Sequence, residues 1–202
     1  MKGKKYYAFI VPALHKKGIT DNWPECEKIV KGKEARYRSF STHEAAAEWL
    51  AQGGEYSFHP KFTPRLEKGV YFDAGTGRGK GVEVSVTDET GQNLLHKIIP
   101  KSKLNTFGKE LLKKGMTNNY GELLGCKYAL RIAKKLKVQK IFGDSKLVLN
   151  FWSKGIIKKK ELPLATTQLA FQTTQLRKKF EVTGGSLAYI SGDHNPADLG
   201  FH

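Results

Sequence analysis

The stretch that most constrains the fold runs from Tyr120 to Leu136. At 3.6 residues per turn, Glu122, Gly125, Cys126, Ala129, Ile132, Ala133 and Leu136 share one face. Small and apolar residues dominate it, so the spacing predicts a helix packed closely on a sheet. A glutamate on such a face is no surface charge. It needs a partner or a cation to offset its desolvation. Thr117-Asn118-Asn119 precede the helix, and capping needs only one of them. The fold must therefore supply a sheet beneath this helix and company for a carboxylate near its first turn.

The flanking pattern supplies that sheet. Three strand-like runs precede the helix: Gly69 to Ala74, Gly81 to Asp88, and Asn93 to Ile99. Short turns join them into an antiparallel meander. A strand from Val138 to Phe142 follows, then helices near Ser145–Ser153 and Leu162–Phe180, and a strand at Leu187–Ile190. This order predicts a mixed α/β sheet with flanking helices. The start of the chain reads as a separate small β-α-β-α unit. Its parts are a strand over Lys5–Val11, a helix over Trp23–Val30 capped by Asp21 or Asn22, a strand over Arg36–Phe40, and a helix after Ser41 or Thr42 that ends at Gly53-Gly54. Tyr37 and Arg38 fall on opposite faces of their strand. Residues 55–67, with Pro60 and Pro64, lack periodicity and read as a linker. The expected boundaries are 1–54, 55–67 and 68–202. No internal repeat is evident.

Charge narrows the function. The 202 residues carry a formal net charge of +16, which attracts polyanions, nucleic acid first among them. Residues 1–55 are net +3 and residues 56–202 net +13. A hydrophobic fraction of 39% is enough for a real core and excludes disorder as the default. No run of 18 apolar residues exists, so no membrane-spanning helix is expected. Cys26 and Cys126 are lone and far apart, which excludes zinc sites and disulfide scaffolds. The chain reads as reduced, intracellular and cytoplasmic, with no obligatory protein partner evident.

Four carboxylates stand where carboxylates are costly. Asp73 ends the apolar run Gly69-Val70-Tyr71-Phe72. The Gly75-Thr76-Gly77-Arg78-Gly79 run behind it is followed by a strand rather than a helix, so a phosphate cradle is excluded and a hairpin turn expected. Glu122 lies on the packed helix face. Asp144 follows a strand, and it either caps a helix or serves a cation. Asp198 follows the last strand in Gly192-Asp193-His194-Asn195-Pro196-Ala197-Asp198 and is either a turn residue or a ligand. Acids converging from separate elements bind hard divalent cations through oxygen, as Mg²⁺ prefers.

These pieces resemble the type 1 ribonuclease H family. The matching runs are Phe72-Asp73-Ala74-Gly75, Thr117-Asn118-Asn119-Tyr120-Gly121-Glu122, Gly143-Asp144-Ser145 and Asn195-Pro196-Ala197-Asp198. Residues 1–53 resemble the viroplasmin-like hybrid-binding domain at the N-terminus of many such enzymes. That likeness rests on Tyr6-Tyr7-Ala8, Gly18-Ile19, Trp23-x-x-Cys26, Val30-x-Gly32, Tyr37-Arg38-Ser39-Phe40 and Glu44-Ala45. The resemblance implies a ribonuclease H-like mixed five-stranded sheet with flanking helices, preceded by a small α/β hybrid-binding domain.

The resemblance also implies an endonuclease that cuts the RNA strand of RNA–DNA hybrids by two-metal-ion catalysis, leaving 5′-phosphate and 3′-hydroxyl ends. Asp73, Glu122, Asp144 and Asp198 would hold two Mg²⁺ ions, with Mn²⁺ able to substitute. Asp73 would bridge them, Asp144 standing on the nucleophile side and Glu122 on the leaving-group side. Gly75, Thr76 and Asn118 would read 2′-hydroxyls, and Asn119 the minor-groove base edges or the DNA strand. Trp23, Tyr37 and Arg38 would grip the DNA backbone. His194, His202 or neither assists proton transfer or product release. Asp193 is an alternative or a support to Asp198. Lys101 to Met116 reads as an insertion, so Asn105 and Thr106 receive no role. The rival class is a non-catalytic binder of hybrid or double-stranded RNA, and carboxylates in the groove disfavour it. A transposase-like DNA nuclease would need no 2′-hydroxyl readers.

Overall fold

The computed structural model describes residues 4–51, 53–54, 66–76, 81–158 and 161–199. Gly77, Arg78, Gly79, Pro60, Pro64 and His202, to which the sequence assigned turn, linker or terminal roles, lie outside the described residues. Packing separates the chain into two units. The body of one is Met1–His59, with Gly75–Lys80 and Leu199–His202 grouped with it. The other is Pro60–Ala74 with Gly81–Asp198.

The first unit is built on the apolar run β1 (Tyr6–Val11), whose alternation feeds two small cores. Phe9 and Val11 meet Cys26 and Val30 of α1 (Trp23–Val30) on one face. Ala8 meets Ala46 and Trp49 of α2 (His43–Ala51) on the other. Asn22 caps α1 by accepting from the Glu25 N–H at 3.4 Å, and Thr42 accepts from the Ala45 N–H at 3.2 Å at the start of α2. β3 (Arg36–Phe40) pairs with β1 as an antiparallel neighbour. The expected β-α-β-α order needs one correction. A strand, β2 (Lys16–Thr20), pairs antiparallel with β1, so the sheet order is β2-β1-β3. β2 is a polar edge strand, Lys-Lys-Gly-Ile-Thr, without the alternation that marks a buried strand. Gly18 leaves room for the Phe9 ring, since a Cβ there would stand 3.0 Å from it.

The second unit holds a five-stranded mixed sheet, order β6-β5-β4-β7-β8, with flanking helices, as expected. Its centre is β4 (Val70–Gly75), buried throughout. β5 (Glu83–Thr87) lies on one side, and β7 (Lys140–Gly143) pairs parallel on the other, followed by parallel β8 (Ser186–Tyr189). Helix α3 (Asn118–Leu136) shares a core with Phe72, Ala74, Val82, Val84 and Val86 through Leu123, Cys126, Ala129 and Ile132. Helix α5 (Leu164–Val182) adds Leu169, Ala170 and Phe180. Its buried Arg177 donates to the Leu149 carbonyl and to Ser153 Oγ, both at 2.6 Å, and so anchors the segment around α4 (Lys146–Asn150).

The third meander strand expected over Asn93–Ile99 does not form. Asn93 makes only an isolated bridge to Thr87, and Leu95–Lys97 is a 3₁₀ turn. The Asn93 side chain starts that turn by accepting from the Leu95 N–H at 2.8 Å. Leu94, Leu95 and Ile99 are all buried, a helical rather than an alternating spacing. The sheet edge is instead β6 (Glu110–Leu111), antiparallel to β5 and supplied by the segment read as an insertion.

Candidate functional site

Three glycines decide where the acids go. A Cβ on Gly121 would stand 2.4 Å from Val82 Cγ1 and 2.9 Å from Ala74 Cβ, and one on Gly125 would stand 3.3 Å from the Phe72 ring. With no side chain at either place, the first turns of α3 lie directly against the sheet. Glu122, between them, is carried inward and is 4% exposed. Its Oε1 accepts from the Ala74 N–H at 3.3 Å, the residue after Asp73. Gly143 plays the same part for Asp144, since a Cβ there would stand 2.4 Å from the Phe72 ring.

Asp73, Glu122 and Asp144 thereby converge. Each offers an oxygen, and the three oxygens lie within 4.8 Å of one another. Asp73 and Glu122 are buried and Asp144 half-buried. Ser145, not Asp144, caps α4 by accepting from the Val148 N–H at 3.4 Å, so the capping reading of Asp144 falls. Thr117 caps α3, accepting from the Tyr120 N–H at 3.2 Å. That leaves Asn118 and Asn119 exposed in the first turn.

Electrostatically the cluster is a cost. Burial, then the neighbouring Asp144 charge, pushes the Glu122 carboxyl up to about 8. The Ala74 N–H and a hydrogen bond with Asp73 pull the other way, and Asp198 adds to the rise. Glu122 Oε2 is buried without a hydrogen-bond donor among the described residues. Converging carboxylates with a buried, undonated oxygen are the donor set of a hard divalent cation, so these residues fit one.

The other expected residues divide by place. Asp198 is half-buried, and outside the group of three, in the loop after a 3₁₀ turn (Gly192–His194). His194 ends that turn and is exposed. Gly75 is the last residue of β4, and Thr76 beyond it is exposed. Trp23, Tyr37 and Arg38 belong to the first unit. The Trp23 ring lies 5.8 Å from that of Tyr37 and 5.3 Å from that of Tyr7, and Trp23 is 37% exposed. Burial raises the Tyr37 hydroxyl pKa. Arg38 sits over the Phe40 ring at 5.7 Å. The sequence places Gly125 on the packed helix face but assigns no spacer role to Gly121 or Gly143, each just ahead of an acid.

The aromatic patch stands on a domain of known kind. Residues 5–50 match the ribonuclease H1 N-terminal domain. No curated protein matches the chain significantly. Among solved structures it is similar to the N-terminal RNase H domain of a Mycobacterium tuberculosis protein, solved as a fusion with maltose binding protein. Identity is 20% and the TM-score 0.37, over 60% of this chain and 80% of that one. It is also similar to RNase H1 from the halophilic archaeon Halobacterium salinarum NRC-1. Identity there is 17% and the TM-score 0.37, over 66% of this chain and 92% of that one. Among the described residues, no helix is long and apolar enough to cross a membrane.

Proposed function

We propose that the protein is a ribonuclease H, an endonuclease that hydrolyses the RNA strand of RNA–DNA hybrids to 5′-phosphate and 3′-hydroxyl ends. The observation that carries this reading is the convergence of Asp73, Glu122 and Asp144 within 4.8 Å. A protein that only binds polyanions gains nothing from carboxylates in its groove. With Asp198, these residues would hold two Mg²⁺ ions, or Mn²⁺ in their place, supplying charge neutralisation at the scissile phosphate and an activated water.

The remaining residues select and hold substrate. Asn118, Gly75 and Thr76 read 2′-hydroxyls, and Asn119 faces the minor groove, the only groove of an A-like duplex wide enough to be read this way. His194 assists proton transfer or product release. In the first unit, Trp23 and Tyr37 pack on the DNA sugar-phosphate and Arg38 pairs with a phosphate. The working division is a hybrid-binding domain over 1–54, a linker over 55–67 and a catalytic domain over 68–202. Two buried free thiols, Cys26 and Cys126, fit a reducing cytoplasm.

The test offers labelled RNA–DNA hybrid, duplex DNA and duplex RNA to the protein with Mg²⁺, Mn²⁺ or chelator. Cleavage confined to the RNA of the hybrid and dependent on metal is expected. Tight binding of hybrid with no cleavage under any metal would replace the enzyme by a binder, and cleavage of duplex DNA would point to a DNA nuclease.

A further inference from the structure

One side chain ties the loop that ends in Asp198 to the central strand. Asn195 is 1% exposed, and all four of its polar groups are bonded. Its Nδ2 donates to the Phe72 carbonyl at 3.0 Å, and its Oδ1 accepts from the Ala197 N–H at 3.1 Å. Its own N–H donates to the Gly192 carbonyl at 3.1 Å, and its carbonyl accepts from the Asp198 N–H at 2.9 Å. The Phe72 carbonyl belongs to the same peptide unit as the Asp73 N–H. The parallel register of β4 with β7 ends at Tyr71↔Phe142, and the Asn195 carboxamide is the donor that the next residue's carbonyl finds. The amide thus spans from the peptide that begins Asp73 to the residue before Asp198.

The second hold on the loop is apolar. Ala197 is fully buried against Tyr71 and Phe142, whose rings stack with centroids 4.7 Å apart. Asp198 itself belongs to no helix or strand, whereas Asp73 lies within a buried strand and Glu122 on a 19-residue helix. These two holds fix the loop immediately ahead of it. Only an amide supplies a donor and an acceptor at this size. Aspartate has no donor for Phe72, and alanine leaves two buried backbone groups unpaired.

We infer that Asn195 is a positioning residue. It fixes the Asp198 carboxylate relative to Asp73, and the divalent-cation affinity of the acidic centre depends on it. The inference rests on the metal-centre reading given above. Residues that orient metal ligands are typically worth about 10–100-fold in metal affinity.

The experiment titrates MnCl₂ calorimetrically into the full chain and into N195A, N195D, D198N, D73N and Y71F. Steady-state cleavage of hybrid is followed in parallel. N195D keeps the acceptor for Ala197 and serves if N195A does not fold. Y71F is the structural control, because it removes a hydrogen bond from the same apolar cluster, that of the Tyr71 hydroxyl to the Glu67 carbonyl at 2.5 Å, without touching the loop. About tenfold weaker Mn²⁺ binding is expected in the Asn195 variant and in D198N. A fall in kcat should accompany it, with an unchanged KM for hybrid, and Y71F should bind Mn²⁺ like wild type. Wild-type affinity in the folded Asn195 variant beside a weakened D198N would overturn the inference and leave the metal centre standing. Equal weakening in Y71F would overturn it in favour of a softened core. Wild-type affinity in D198N beside a weakened D73N would overturn it by removing Asp198 from the site. Wild-type affinity in D73N as well would overturn the metal-centre reading beneath it.

Discussion

The two units handle polar function in opposite ways. Over residues 1–55 the chain is net +3, and the candidate grip is a pair of partly exposed aromatic rings, Trp23 and Tyr37, with Arg38, on a unit with two small cores. Residues 56–202 are net +13, yet the candidate centre there is a knot of buried acids. An exposed ring costs the fold little and gains when a ligand covers it. A buried carboxylate costs the fold at once and is relieved by a hydrogen-bond partner, a proton or a cation. Changes in the first unit should therefore move affinity, and changes at the acids should move metal binding, chemistry and stability together.

The largest effect is expected from E122Q. Loss of a metal-facing carboxylate should cut kcat for hybrid by at least about a hundredfold with little change in hybrid binding. Stability should move the other way in chelator. The folded-state carboxyl titrates near 8, above its usual range, so the folded protein holds a proton that the unfolded chain releases near pH 4.5. Wild-type stability in chelator should fall as pH rises from about 5 to 8. E122Q should remove that part of the slope and melt higher than wild type at pH 8. Thermal melts of both proteins check it; parallel slopes would break the contrast between the units.

G121V should come next. The new side chain meets Val82 and Ala74 inside the closest helix–sheet contact. A cost of about 1–3 kcal/mol is expected from overpacking, with Mn²⁺ affinity falling because Glu122 is pushed outward. Denaturant melts and calorimetry read the two effects. W23A should weaken hybrid binding about tenfold, in the range of an exposed aromatic anchor, while single-turnover cleavage at saturating protein stays at the wild-type rate. The smallest effect belongs to R38A, which should make the salt dependence of hybrid affinity shallower by about one unit of log–log slope, whereas W23A leaves that slope alone. Equal slopes in all three proteins would mean that Arg38 meets no phosphate.

The sequence reading reached the acidic centre because burial of a charge leaves a mark in the pattern. Glu122 interrupts a small, apolar helix face, and Asp73 and Asp144 each end an apolar run. It reached α1, β3 and α3 through caps and periodicity, although α3 begins two residues before Tyr120. The misreadings share a physical origin. β2 is an edge strand whose Lys16 and Lys17 face solvent, so no alternation announces it. Asn93–Ile99 has strand-like composition, but the Asn93 side chain closes a turn and Leu94, Leu95 and Ile99 follow a helical spacing into the core. β6 has only two residues, too short for any periodic signal, and exists because β5 offers an open edge. The role of Asn195 was invisible for another reason. Its partner, Phe72, lies 123 residues away, and nothing local in Asn-Pro-Ala-Asp foretells that contact.

The most direct measurement is cleavage of labelled RNA–DNA hybrid by D73N beside wild type, in Mg²⁺, with hybrid affinity measured on the same preparations. The account predicts metal-dependent cutting of the RNA strand by wild type, and loss of that cutting in D73N with hybrid affinity retained. Full cleavage by D73N in Mg²⁺ would contradict it.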